Sequence, residues 1–483
     1  MTDTPAAAPP SDQKKPSTQE QAVADFGIDT TRRSTGQALR DYVDRVRGGE
    51  LGSLPALAGL IVLLILFALL SDTFLSLNNI ANLIAQSAGT IIIAMGLVFV
   101  LLLGEIDLSA GTASGVAAAV MALHLTKAGN LQSGMGDPVF YAFIAGGLLA
   151  IAVAVWQRIW LGAALSAVAV LLLLLGVPAN PWLEMLLAVC VGTVIGCLTG
   201  VMVSKIGIPS FVVTLALFLA WGGVILKLIG DGGTLSISND PVLFGVANNN
   251  LNILGSWILF VIFAGGYAAV VLLRHTSRVR RGLVAQPNSL IMLKVGAVVA
   301  LGAVATYLLT LNRSPNPDRI TIEGVPYVVP IVLVLLVIGT FVLDRTKYGR
   351  HIYAVGGSAE AARRAGINVP KIRMSVFVIC STVAAVGAIV YSSKVGSVDP
   401  NAGGGNVLLF AVGAAVIGGT SLFGGKGRLS NAIIGGFVIQ IVSNGLGLVG
   451  APAAVVSIVT GAVLLLAATV DAVSRRRAKA TGH

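Results

Sequence analysis

The run Gly104-Glu105-Ile106-Asp107-Leu108-Ser109 sets two carboxylates between long apolar stretches, where ionisable groups are costly enough to be functional candidates. One chemistry they offer is a proton relay. The other is structural: Asp107 and Ser109 are residue types that cap a helix beginning there, Asp107 accepting hydrogen bonds from its exposed backbone N–H groups. No Lys, Arg or His stands beside the pair in the sequence, so the cap is the reading carried forward, with Glu105 reaching interfacial water. A second set is polar but uncharged. Asn79, Asn82, Gln86 and Thr90 recur at helical spacing and share one face; Ser210 and Thr214 do likewise, as do Gln440 and Asn444. Three such faces suit the hydroxyls of a sugar in a passage, lined by Asn82, Gln86, Thr214, Gln440 and Asn444. Ordinary hydrogen bonding between helices gives the same pattern, and both readings stand.

A third set lies in Thr346 to Pro370, a polar loop between two apolar segments. Gly356 and Gly357 permit a sharp turn, Ser358 is an N-cap residue, Glu360 suits the positive start of a helix, and Arg363 with Arg364 suits its negative end. Gly366 and Pro370 then stop it. A helix of roughly two turns is too short to stand alone in water and calls for a partner surface. We read it as a coupling helix docked on a motor subunit; the plainer alternative is a basic connector that only fixes topology.

Other chemistries find no residues. Gly419 to Gly427, GTSLFGGKG, has the wrong spacing for a phosphate-binding loop, and Gly427 stands where Ser or Thr would hold magnesium. There is no nucleophile elbow and no catalytic acid pair in a soluble domain, so no catalytic residue is assigned. Cys190, Cys197 and Cys380 are isolated in apolar runs, and His124, His275, His351 and His483 are scattered, so neither a disulfide framework nor a metal site is expected. No cofactor is expected either, and any energy must come from elsewhere.

These residues must be positioned by membrane helices. Of 483 residues 11% are charged and 55% hydrophobic, against about 25% charged in soluble domains. Mean hydropathy is +0.89. The net charge of +11 does not mark a nucleic-acid binder, because the basic residues sit in short connections and at the C-terminus, as the positive-inside rule places them. A span needs about 20 apolar residues, and about fourteen candidates begin near Leu54, Ile80, Ile106, Val139, Ile159, Leu183, Pro209, Ile253, Leu290, Pro326, Met374, Val407, Leu429 and Ala453. The fold class is therefore an all-α polytopic membrane bundle. The stretches Gly104 to Gly111 and Ser421 to Arg428 are candidates for broken or re-entrant helices. Counting from an inner N-terminus puts Arg274 to Arg281, the 346–370 loop and Arg475 to Lys479 inside, and Asp231 to Asn252 outside, so both termini are cytoplasmic. Residues 1–53 form a cytoplasmic tail, disordered to about Arg33, with Gln37 to Arg47 either lying on the inner membrane surface or forming a short soluble helix. Residues 54–471 form the membrane domain and 472–483 a basic tail. Gly192, Gly196 and Gly200, and Gly111 with Gly115, are close-packing signals.

Four separated motifs resemble the permease subunits of ribose, arabinose and xylose ATP-binding-cassette importers: GEIDLSAG at Gly104 to Gly111, IPSFVVTLAL at Ile208 to Leu217, TKYGRHIYAVGGSAEAARRAGI at Thr346 to Ile367, and GGTSLFGGKG with IVSNGL at Gly418 to Leu446. The resemblance implies a multi-helix permease working as a pair of copies in the bacterial inner membrane, a separate cytoplasmic ATPase and an extracytoplasmic sugar-binding protein. It also implies that Gly356, Gly357, Glu360, Arg363, Arg364 and Gly366 couple to the ATPase. Extra apolar pairs near Val139 to Gly176 and Ile253 to Leu311 look like the xylose-type branch. Glu105 stands where ribose-type members usually have Gly, and Trp221 precedes Gly222 where Arg-Gly is common. The expectation is a pentose importer subunit. A proton-coupled sugar transporter using Glu105 and Asp107 is the alternative, and a receptor or scaffold a third.

Overall fold

The computed structural model describes residues 36, 40, 52–230, 233–283 and 285–480. The tail expected to be disordered to about Arg33, and nearly all of Gln37 to Arg47, lie outside the described residues. The helices begin with α1 (Leu54–Leu70), α2 (Leu77–Leu102), α3 (Ala110–Thr126), the short α4 (Leu131–Met135), α5 (Asp137–Trp156) and α6 (Trp160–Leu175). There follow α7 (Pro181–Val201), which ends in a π turn at Met202–Ile206, then α8 (Ser210–Ile229), α9 (Pro241–Asn248) and α10 (Ile253–Phe260). Next come α11 (Gly266–Arg280), α12 (Asn288–Thr310), α13 (Val328–Arg345), α14 (Lys347–Gly357), α15 (Ala359–Arg364) and α16 (Val369–Val395). The chain closes with α17 (Asn406–Ile417), α18 (Leu429–Leu448) and α19 (Ala453–Ala480).

Nine described helices are long and apolar enough to cross a membrane: α2, α5, α7 with its π turn, α8, Ile253–Arg280, α12, α13, α16 and α18. Five shorter apolar helices, α1, α3, α6, α17 and Ala453–Leu466, account for the remaining expected stretches. Four of them, α1, α3, α6 and α17, have only 12–17 residues, below the roughly 20 that a bilayer core requires of one straight helix. The shortest, α17, runs into the irregular 418–428 stretch, and the irregular 104–109 stretch precedes α3, so both candidate breaks are indeed non-helical.

The described residues fall into two compact units, one holding 264–302 and the other 52–263 with 303–480. In the smaller one α11 and the start of α12 are joined by a hydrogen bond between His275 Nε2 and Asn288 Oδ1 at 2.5 Å. The larger one is organised on α16, which packs along α2 and α7. Small residues make this possible. A Cβ at Gly192 would lie 2.7 Å from the Ser381 carbonyl, and one at Gly196 2.8 Å from that of Phe377, so the glycine stripe of α7 seats α16 backbone to backbone. Gly111 and Gly115 make the same close approach to the backbone of the loop at Ala402 and Gly403, and to the side chains of Leu408 on α17 and Ile225 on α8. Nearly all of α2 from Ser87 onward is buried.

Beyond the C-terminal end of α16, Leu235–Ser236 (β1) pairs antiparallel with Ser397–Val398 (β2), in the register Leu235↔Val398 and Ser236↔Ser397. There α9 is capped by Asp240 and tied to α16 through Ser393, whose hydroxyl accepts from the Ala247 N–H at 2.9 Å. Arg313 sews the preceding loop down, donating to the carbonyls of Leu309 at 2.6 Å and Gly324 at 3.0 Å and to Asn250 Oδ1 at 2.8 Å. These contacts mark one end of the unit. The opposite end, where α16 begins, holds the 104–109 and 418–428 stretches and α14–α15.

Candidate functional site

At that opposite end three connections close on one another through glycines. The Gly425 N–H donates to the Leu102 carbonyl at 2.9 Å. A Cβ at Gly356 would overlap that same carbonyl and stand 2.8 Å from the Gly425 nitrogen; one at Gly424 would stand 2.8 Å from the Gly356 oxygen and 2.9 Å from the Gly104 nitrogen. Real Cβ atoms do not approach so closely, so the end of α2, the end of α14 and the 418–428 stretch meet only because side chains are missing. Tyr353, one turn earlier on α14, adds a hydrogen bond from its hydroxyl to the Gly427 carbonyl at 2.9 Å. Burial, and then the Asp344 carboxylate, push this phenol above its ordinary value against an opposing Arg428, so it remains a protonated donor.

The 346–370 loop is more helical than its sequence suggested. Thr346 caps α14 by accepting from the Gly349 N–H at 3.1 Å, and Ile352 and Val355 are buried, giving an inward face. Gly356 and Gly357 are the last residues of that helix and make no turn through positive φ, which corrects the reading of a glycine turn. Ser358 then caps α15 by accepting from the Ala361 N–H at 3.2 Å. On the exposed face of α15, Glu360 meets Arg363 at 3.4 Å and Arg364 at 3.2 Å. Such exposed pairs contribute at most about 1 kcal/mol. Gly366 ends the turn at φ +82°, whereas Pro370 sits in the first turn of α16 and opens that helix instead of stopping α15.

Both acids of the 104–109 stretch have partners. Asp107 is fully buried; its Oδ1 accepts from the Ser109 N–H at 3.0 Å and the Ser109 hydroxyl at 2.7 Å. Its Oδ2 is buried without a hydrogen-bond partner among the described residues. Asp107 thus organises the entry to α3, but Ser109, at the N-cap position, makes no side-chain cap: its hydroxyl is turned to Asp107. Glu105 does not simply reach water. It pairs with Arg373 Nε of α16 at 3.0 Å, a cation distant in sequence and therefore missed. The Ile106 peptide is satisfied from α8, its N–H by Ser210 Oγ at 3.3 Å and its carbonyl by Thr214 Oγ1 at 3.2 Å. Irregular backbone is tolerated at this depth because side chains take over its hydrogen bonds.

The polar faces of α2 and α18 zip together. Asn79 and Asn444 exchange two amide hydrogen bonds at 3.0 Å, and Gln440 Nε2 donates to Gln86 Oε1 at 2.8 Å. Thr214 lies apart from them on the Ile106 peptide. Asn82, half-buried on the same face of α2, has no hydrogen-bond partner among the described residues. A further pair was invisible to spacing: His124 Nδ1 at the end of α3 lies 3.2 Å from Glu184 Oε1 in the first turn of α7, both buried. Among the described residues no cluster of His, Cys, Asp and Glu is arranged to hold a metal ion.

Comparison with known proteins places these features in a family. The family model described as branched-chain amino acid transport system / permease component matches residues 159–468. The xylose transport system permease protein XylH of Escherichia coli (strain K12) is 32% identical over 428 residues, covering 87% of this chain and 92% of its own. Its Haemophilus influenzae counterpart is 29% identical, covering 87% of this chain and 96% of its own. The ribose import permease protein RbsC of Escherichia coli (strain K12) is 27% identical, covering 86% and 92% respectively. No solved structure matches. Carrying its span-length apolar helices under a family model that covers well over half its length, this chain belongs to the permease components of that transport-system family.

Proposed function

We propose that this chain is the membrane-spanning subunit of an ATP-driven pentose importer of the xylose type. It works as a pair of copies, receives sugar from an extracytoplasmic binding protein, and is driven by a separate cytoplasmic ATPase that carries the nucleotide; the permease itself holds no cofactor. The observation that carries this reading is the seating of α14 on the end of the deeply buried α2, beside an exposed α15. The pair has a buried face toward the bundle and a short charged helix facing away from it, as a mechanical input requires. In this reading Gly356, Gly357, Glu360, Arg363, Arg364 and Gly366 form the docking element and its geometry.

The amide zipper between α2 and α18 supplies the closed state of the passage. An amide pair can exchange one partner for a sugar hydroxyl at little net cost, since each side of the exchange keeps its hydrogen bonds. Asn82, Gln86, Gln440 and Asn444 would then meet the sugar once the helices separate, with Thr214 holding the neighbouring 104–109 backbone. Transport is driven only if affinity for the sugar differs between outward-open and inward-open states, so ATP-driven motion must act on this zipper. Nothing in the relatives, which are transport-system permease components, supports the proton-coupled alternative, although Arg373 does stand beside Glu105 as a companion cation.

The test is uptake of labelled xylose, ribose and arabinose into vesicles holding the permease with its ATPase and binding protein. Uptake should require ATP and binding protein, prefer xylose, and be indifferent to collapse of a pH gradient. Uptake that follows the gradient without ATP would overturn the proposal.

A further inference from the structure

The hairpin of α5 and α6 has no part in the passage described above. Its helices pack on each other and on α7, and their outer faces leave Leu148, Leu149, Leu171 and Leu174 exposed, as contact with lipid requires. The turn between them, Gln157 to Ile159, lies at the end of the unit where α16 begins. A Cβ at Gly162 would stand 3.4 Å from Cys197 Sγ near the end of α7, and one at Gly200 2.9 Å from the Met374 carbonyl near the start of α16. The π turn that follows α7 brings Lys205 to the same place, its Nζ 4.8 Å from the centre of the Trp156 ring. Trp156 and Trp160 flank the turn, 64% and 65% exposed, and indoles so placed at the ends of apolar helices sit at the level of lipid headgroups.

This turn holds an excess of unused donors. α6 starts from Ile159 without a side-chain cap, and the N–H groups of Trp160, Leu161 and Gly162 have no hydrogen-bond partner among the described residues. Gln157, in the turn itself, is only 7% exposed, and its side-chain amide has no partner among them either. Arg158 and Lys205 are exposed without an ion pair among the described residues, and no acidic residue stands between Asp137 and Glu184. Arg158 also holds φ at +56°, a conformation unfavourable for any residue with a side chain. A free helix start, a buried amide and two unpaired cations beside exposed indoles match an anion whose other end is apolar. We propose that the α5–α6 turn binds the phosphate of an anionic phospholipid, with Arg158 and Lys205 countering its charge and the acyl chains lying along the outer face of the hairpin. A zwitterionic lipid would set its own ammonium against these cations and is the poorer occupant.

The experiment measures lipid binding to the purified full-length permease in detergent by native mass spectrometry, with phosphatidylglycerol or phosphatidylcholine added. Phosphatidylglycerol should bind about tenfold more tightly, since each basic residue near the headgroup adds to the attraction. Arg158→Gly combined with Lys205→Gln should remove most of that preference, and Lys205→Arg, which keeps the charge, should retain it. Arg278→Gln with Arg280→Gln, an equal loss of charge elsewhere in the chain, should also retain it. In detergent alone the Arg158→Gly, Lys205→Gln permease should unfold at about the wild-type temperature, because glycine takes the turn's positive φ without strain. Equal binding of the two lipids by the wild type, or an equal loss in the two double variants, would overturn the proposal. So would a photo-crosslinking residue at Trp160 that captures a second permease copy in place of lipid, or displacement of the bound lipid by inorganic phosphate.

Discussion

Gly356 and Gly357 are neighbours of one type in one helix, and the structure assigns them opposite sensitivities. A Cβ at Gly357 meets nothing within 4 Å. A Cβ at Gly356 would overlap the Leu102 carbonyl and crowd the Gly425 nitrogen at 2.8 Å, so backbone on two sides must give way. Overpacking of this kind costs about 1–3 kcal/mol, and loss of the Gly425 to Leu102 hydrogen bond about 0.5–1.5 kcal/mol more. Replacing a helical Gly by Ala returns about 1 kcal/mol in either variant. Gly356→Ala should therefore be destabilised by roughly 0.5–3.5 kcal/mol, and Gly357→Ala should be neutral or slightly stabilised. Thermal unfolding of the two purified variants in one detergent makes the comparison, with sugar-stimulated ATP hydrolysis of the reconstituted complex as the functional readout. Gly356→Ala should show a lower unfolding temperature and weaker stimulation. Equal unfolding temperatures for the two would refute the close packing of α14 on α2.

Four further outcomes follow from the same geometry. Asp107→Asn keeps an oxygen for Ser109 and should retain much of the ATP-dependent uptake, whereas Asp107→Ala strands a buried N–H and hydroxyl, costs about 1–3 kcal/mol and should transport clearly less; equal loss in both would point to titration instead. Glu105→Arg and Arg373→Glu should each impair coupled uptake, and the double swap should recover some of it; a swap no better than either single variant would show that the 3.0 Å pair is incidental. His124→Ala leaves Glu184 buried without its partner, and should lower stability by on the order of 3 kcal/mol, more than replacing both residues by leucine; unfolding temperatures decide. Reporters fused near Thr4 and after His483 should both read as cytoplasmic, and an external signal from either would break the even count of crossings.

The apolar helices were legible because each announces itself within about 20 residues, and every expected span begins within a few residues of an observed apolar helix. The polar faces of α2 and α18 were legible as faces, but not as each other's partners. Spacing along one helix says which residues look the same way and nothing of what they look at, so Asn79 with Asn444 needed the fold. Glu105 with Arg373 and His124 with Glu184 were hidden for the same reason. In the 346–370 loop Ser358 and Gly366 acted as local chemistry dictates, while the glycines misled. Gly356 was read as conformational freedom, but it is needed for the absence of a side chain beside a carbonyl more than two hundred positions earlier. The helix α14 was missed because its buried face depends on Ile352 and Val355, too few positions to stand out as a period.

The glycine junction constrains how a push on α15 can spread. Helix ends separated by side chains can slide against each other by rotamer changes, but backbone against backbone has no such slack. Leu102 holds Gly425 by a hydrogen bond, Gly356 lies on the same carbonyl, and Gly424 fits between Gly356 and Gly104, so α14 cannot shift without carrying both the end of α2 and the 418–428 stretch. Those two elements lead into the helices of the amide zipper: α2 carries Asn79 and Gln86, and the 418–428 stretch runs directly into α18, with Gln440 and Asn444. A common displacement would move both sides of the zipper together and leave it closed. Opening it therefore requires α2 and α18 to respond differently, and only α2 is anchored along its length to α16, whereas α18 packs against α17 and α1 as well. The same input thus acts on one firmly held helix and one on a different support, which is the asymmetry needed to pull both amide pairs open from a single point of force.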